Sequence, residues 1–143
     1  MPVETAQMLA TARALHGDLP EDSPYVTLRM RRHPCSEWVT ESREGYAYAE
    51  SLLEHLGVEY TYRYGKIHAS VAWYFSLPSY TPPEGRQMPV PLAVKEAPRW
   101  EGEPVRTYRN FYKLDKARFA TWPDAPPPWW DARPIHNTLW EEL

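Results

Sequence analysis

Residues 59–68 read EYTYRYGKIH, which places three tyrosines, a glutamate, two cations, a histidine and a glycine in ten positions. On a helix, side chains three and four apart share a face. His55, Glu59, Arg63 and Lys66 follow steps of four, four and three, so they form a polar stripe beside Tyr60 and Tyr64. Two chemistries fit. In the plainer one, Glu59 and Arg63 make an i,i+4 pair on a solvated face, and such pairs contribute little. In the other, the block is an anion site: Arg63 and Lys66 hold phosphate, Tyr60 and Tyr64 stack or offer hydroxyls, and Glu59 serves as acid or base, with His68 closing the block.

Two further stretches carry the same residue types. RMRRH, residues 29–33, sets Arg31, Arg32 and His33 just ahead of a helix start at Pro34. A helix N-terminus adds partial positive charge and free N–H groups to such a cluster. RTYRNFYKLDKAR, residues 106–118, holds five cations against one carboxylate in a chain whose net charge is −3. Arg106, Arg109, Lys113 and Lys116 recur at helical steps and interleave with Tyr108, Phe111 and Tyr112. A basic stripe with aromatic side chains suits a nucleic-acid backbone with exposed bases. The competing reading is a solvated helix face whose aromatics serve only the core.

The remaining reactive types are sparse. His33 before Pro34 reads as a helix cap, and no HxxxH or carboxylate pair accompanies His33 or His68, so no metal is expected. Cys35 lies at a helix start, where a thiolate would be activated, but a lone cysteine is more often inert. No glycine-rich phosphate loop, GxSxG elbow or CxxC is present, and no cofactor is expected.

The elements that must position these groups are helices. Thr5 to His16 is helix-permissive and stops at Gly17. A second helix starts at Pro34, with Trp38 and Val39 as its apolar contacts. A long pattern runs from Glu44 to Tyr64 through Tyr46, Ala49, Leu53, Leu56, Tyr60 and Tyr64, and Gly57 costs it about 1 kcal/mol against alanine. Residues 66 to 76 continue as a shorter helix, and a last helix spans Val105 to Trp122, with Tyr108, Phe111, Asp115, Phe119 and Trp122 on one side. Between them, residues 78–104 hold seven prolines and residues 123–134 hold five. Proline removes a backbone donor, so neither stretch is a continuous helix. The expectation is one all-α domain over residues 1–143, with four to five helices, a proline-rich arm at 78–104 ordered by packing, and a proline- and tryptophan-rich tail at 123–143. The length suits a single core. One cysteine excludes an internal disulfide and fits a reducing cytoplasm. No stretch approaches the ~20 apolar residues of a membrane span, and no signal peptide is evident.

Taken together, MPVETAQM, HPCSEW within RRHPCSEW, EYTYRYGKIH and YRNFYKLDKARFATW resemble the blocks of a bacteriophage protein family that carries HPCxxW, EYTYRYGKxH and YRNxYxxxKxxFAxW in this order. The resemblance covers most of the chain outside residues 78–104. More distantly, the chain resembles the phage pyrimidine-dimer DNA glycosylases, small helical repair enzymes. Glu4, the RRHP of Arg31 to Pro34 and the TYRYGKI of Thr61 to Ile67 occupy comparable places, with Arg32 where those enzymes have asparagine. The resemblance implies that Glu4 matches their catalytic carboxylate. Their nucleophile is a free N-terminal amine that attacks the sugar, and here Pro2 would supply it after removal of Met1. The related phage proteins carry a further segment ahead of the MPVETAQM helix, so a binder without glycosylase chemistry is the expected form.

The sequence fits three functions. The first is a phage-type nucleic-acid-binding protein of glycosylase-like descent, acting on damaged or modified pyrimidines in the host cytoplasm. There Glu4 would face the same cavity as Arg31, Tyr60 and Lys66. The blocks holding Arg31 and Arg32, Arg63 and Lys66, and Arg109, Tyr112, Lys113 and Lys116 would share one surface. The second is a protein that sequesters small nucleotides against a host defence. The third is a structural or protein-interaction module that docks through its tryptophan and proline arms. The partner expected is DNA or a nucleotide, with no membrane.

Overall fold

The computed structural model describes residues 1–94 and 98–130. Among these the protein is all-α: five α-helices and no strands. The helices are α1 (Pro2–Leu15), α2 (Pro34–Glu41), α3 (Arg43–Tyr64), α4 (Ala69–Phe75) and α5 (Pro104–Phe111). The chain divides into two compact units, Met1–Val90 and Pro91–Leu143. The boundary falls inside the proline-rich span, and no described residue from Leu77 to Glu103 is helical.

In the first unit α1 is the central element, packed against α2, α3 and α4. Its sequence explains this. Thr5, Ala6, Leu9, Ala10, Thr11, Ala12, Arg13 and Ala14 are all buried, so the helix is enclosed nearly all round. Small side chains let three neighbouring helices approach it closely. Pro2 starts the helix, where its missing N–H costs nothing. Gly17 ends it in the left-handed region (φ 76°). The Asp18 N–H bonds the Arg13 carbonyl (2.9 Å) and the Gly17 N–H bonds that of Ala14 (3.0 Å), the paired bonds of a Schellman ending. The rest of the core comes from Trp38 and Val39 of α2, Tyr46, Ala49 and Leu53 of α3, and Val71 and Tyr74 of α4.

Two glycines are required by packing. A side chain on Gly45 would strike the Trp38 carbonyl at the α2–α3 corner, which Ser42 makes by ending one helix and capping the next. A Cβ on Gly57 would lie 2.7 Å from Val71 Cγ1. Gly57, unfavourable in a helix taken alone, is therefore what lets α4 settle against α3. The start of the proline-rich arm is ordered by contact, as its composition suggests. Leu77, Tyr80 and Met88 pack on the core, and Arg86 holds the α2 terminus through its N–H to the Glu41 carbonyl (2.7 Å) and an ion pair with Glu41.

The second unit is organised by α5. Its buried positions are Thr107 and Asn110. Thr107 Oγ1 accepts the Trp100 N–H (2.9 Å), and the Tyr108 hydroxyl donates to the Pro91 carbonyl (2.6 Å) while accepting the Ala93 N–H (3.1 Å). The single helix expected from Val105 to Trp122 does not form. After Phe111 the chain widens into a π turn, Tyr112–Lys116, then tightens into a 3₁₀ turn, Ala117–Phe119. At Ala120 the backbone becomes extended, and Trp122 packs on Trp130 (5.3 Å between ring centres). The apolar face foreseen for a continuous helix is thus dispersed, and Phe119 is exposed. Of the expected 123–143 tail, residues 131–143 lie outside the described residues.

Candidate nucleic-acid interface

Two residues of the decapeptide at 59–68, Gly65 and His68, serve to turn one helix into the next. Gly65 caps α3 in the left-handed region (φ 64°), its N–H bonding the Thr61 carbonyl. His68 caps α4: its Nδ1 accepts the Ser70 N–H (3.2 Å) and faces Ser70 Oγ (2.8 Å). Tyr60 lies between Tyr64 (4.7 Å) and the edge of the His68 ring (4.8 Å). Glu59 and Arg63 form the i,i+4 ion pair (2.5 Å). Tyr64 and Lys66 remain exposed, and Lys66 has no ion pair among the described residues.

His33 repeats the device of His68. It takes the same extended backbone (φ −70°, ψ 134°), and its Nδ1 accepts the Cys35 N–H (3.2 Å) at the start of α2. Both rings thus serve as helix caps through Nδ1. Cys35 contributes its backbone N–H to that cap. Arg31 and Arg32 are exposed just before it and carry no ion pair among the described residues. Glu4 is exposed near the start of α1 and pairs with the Met1 amine (3.3 Å), while Pro2 occupies the first helical position. Among the described residues no hydrogen bond, ion pair or ring contact ties Glu4 or the Arg31–His33 block to the decapeptide.

Sequence reasoning overlooked a buried polar network in the first unit. Arg13 is 3% exposed. Its Nε donates to Asp18 (2.5 Å), its Nη2 donates to the Pro78 carbonyl (3.1 Å), and its guanidinium lies over the rings of Tyr80 (5.0 Å) and Tyr74 (5.9 Å). Burial works against its charge, but the Asp18 hydrogen bond and charge more than offset it, holding the guanidinium above its ordinary value. Beside it the hydroxyls of Tyr46 and Tyr74 lie 2.6 Å apart, Tyr74 donates to Glu50 (2.8 Å), and His16 Nδ1 meets the Tyr80 hydroxyl (2.7 Å). Burial pushes the Tyr46 phenol up to about 12 and raises that of Tyr74 further, with the Tyr46 hydrogen bond the next cause. Asp18 is near Arg13 in sequence, but Tyr74, Pro78 and Tyr80 are remote from it, so no local pattern could have revealed the whole set. The network fastens the beginning of the arm to α1.

Arg109, Tyr112, Lys113 and Lys116 belong to the second unit, and the other expected site residues to the first. Within the second unit the basic stripe meets tryptophans. Arg106 lies over Trp100 (4.4 Å) and pairs with Glu103 (3.3 Å). Arg109 and Lys113 both lie over Trp129, at 5.3 and 6.0 Å from the ring centre. Lys116 leans on Phe111 (5.3 Å) and pairs with Asp115 (2.7 Å), and Tyr112 meets the Phe111 ring edge-on. Trp100, Arg106, Arg109, Asn110, Lys113 and Trp129 line an open groove of about 610 Å³. Trp100 and Trp129 were missed as site residues. The available signal was a run of five cations against one carboxylate, followed by PPPWW at residues 126–130.

Among the described residues no group of three or more His, Cys, Asp and Glu could hold a metal ion, and no helix is long and apolar enough to cross a membrane. Compared with known protein families, curated proteins and solved structures, the chain matches none.

Proposed function

We propose that this protein binds nucleic acid, with the second unit supplying the main contact surface. The observation that carries the reading is the groove in which Arg106, Arg109 and Lys113 rest on the faces of Trp100 and Trp129, three cations against the single carboxylate of Glu103. Arg109 and Lys113 have no carboxylate partner among the described residues, so their charge is available to phosphate at little cost. Indole faces beside cations are the usual furniture of surfaces that accept a phosphate backbone together with bases. Exposed Arg31, Arg32, Tyr64 and Lys66 of the first unit add cations and a phenol ring of the same kind. The resemblance to phage glycosylases points to the same class of partner, in a host cytoplasm. By the same resemblance, Glu4 and Pro2 would carry any glycosylase chemistry, and nucleic-acid binding by the groove does not require them.

Fluorescence anisotropy with labelled single-stranded DNA, duplex DNA and a free nucleotide, each at two salt concentrations, tests the proposal. Expected is binding of a polynucleotide that weakens steeply as salt rises. Absence of binding to every nucleic acid at low salt would refute it.

A further inference from the structure

The ring of Trp129 is held for contact. It meets Trp130 at 5.6 Å with the planes 64° apart, and Trp130 in turn meets Trp122 at 5.3 Å and 69°. Edge-to-face contacts fix an indole without covering its face by a parallel neighbour. The cations over Trp129, exposed Arg109 and half-buried Lys113, sit there by cation–π attraction. A phosphate oxygen offers either of them a charge-assisted hydrogen bond, which is stronger. Ligand phosphate would therefore draw both cations sideways and open the indole face that they occupy.

We infer that Trp129 is a stacking seat for one unpaired nucleobase, with Arg109 and Lys113 moving onto the phosphates that flank it. This deepens the nucleic-acid reading and rests on it. It also commits the groove to single strands, because a base inside a duplex has no face to give. The size agrees: about 610 Å³ is in the range that holds a ligand of nucleotide dimensions. Charge agrees as well, since the lining is net positive and a nucleotide unit is anionic. Arg106 over Trp100 flanks the seat within the same groove and gives a neighbouring base or phosphate a second contact of the same type.

The test uses the full chain with oligo(dT), duplex DNA of the same length and free dTMP, comparing wild type with Trp129→Leu, Trp129→Phe and the double variant R109Q/K113Q. Oligo(dT) should quench tryptophan emission. W129L should weaken oligo(dT) binding roughly 10-fold or more, the loss of one stacked base. W129F should recover most of that loss, and duplex binding should change little in either variant. R109Q/K113Q should weaken oligo(dT) binding as well, and duplex binding less. Binding of dTMP as tight as oligo(dT) would overturn the polynucleotide assignment and make the seat a free-nucleotide site. W129L with wild-type oligo(dT) affinity would overturn the seat while leaving nucleic-acid binding intact; no binding by wild type would overturn both. Should W129L fold poorly, photo-crosslinking of wild type to oligonucleotides carrying 5-iododeoxyuridine decides instead. The adduct must map to Trp129, and an adduct confined to other residues contradicts the proposal.

Discussion

Arg13 and Arg109 are two arginines laid on aromatic rings, one in each unit, and they serve opposite ends. Arg13 has Asp18, the Pro78 carbonyl and two tyrosine rings, and is 3% exposed. Arg109 is exposed and has the face of Trp129. The guanidinium group and the cation–π geometry are shared. What differs is whether the donors are already satisfied. A buried arginine with satisfied donors is a fastener, and removing it strands its partners. An exposed arginine on an indole keeps its donors for a ligand, and removing it costs the fold little.

The largest effect expected is therefore at Arg13. Arg13→Ala leaves Asp18 without its partner and frees the arm at Pro78 and Tyr80. It should destabilise the first unit by about 3 kcal/mol, read from chemical denaturation. A loss below about 1 kcal/mol would mean that the network does not fasten the arm.

Alkaline pH attacks the same network. In the unfolded chain a tyrosine ionises near pH 10, whereas folded Tyr46 does so at about 12 and Tyr74 is raised as well. Folding thus favours the protonated phenols. The contribution of Tyr46 is complete below pH 10 and is lost as pH rises through about 12, on the order of 2 kcal/mol, and that of Tyr74 also declines above pH 10. Denaturation midpoints measured from pH 9 to 12 should fall, and Tyr46→Phe should flatten that decline.

Gly57→Ala sets helix propensity against packing. Alanine gains about 1 kcal/mol in the helix, while its Cβ meets Val71, an overpacking that costs about 1–3 kcal/mol. A net loss of about 1 kcal/mol is expected. Pairing it with Val71→Ala should restore part of that loss, and a plain gain from Gly57→Ala alone would show that α4 is not seated on this glycine. Arg109→Gln should have the smallest effect on stability, within about 0.5 kcal/mol, because the residue is exposed. A larger loss would make Arg109 a fastener like Arg13.

Local signals made the helices legible. Pro2 and Pro34 mark starts, Gly17 and Gly65 mark ends, and the steps through Tyr46, Ala49 and Leu53 mark a buried face. The cap at His33 could be read because Pro34 follows it. The structural role of His68 was harder to see, because the residue types that cap and close a turn are the same types that bind anions. The decapeptide at 59–68 carries both signals at once. The π turn at Tyr112–Lys116 was hidden because apolar spacing reports an average winding and not a local one. The tryptophan groove was hidden because Trp100 and Trp129 reach the stripe from separate irregular segments. Basic residues at helical spacing could be read; what they rest on could not.

The claim that Arg109 and Lys113 are held ready for phosphate is tested most directly by the salt dependence of binding. Single-stranded DNA affinity should be measured across a series of salt concentrations for wild type and R109Q/K113Q. Each phosphate contact on a single strand contributes a slope of about −0.7 in log K against log salt, so losing two cations should make the slope shallower by about 1.4. That result, with the denaturation midpoint unchanged, is the one the account predicts. Identical slopes for the two proteins would contradict it.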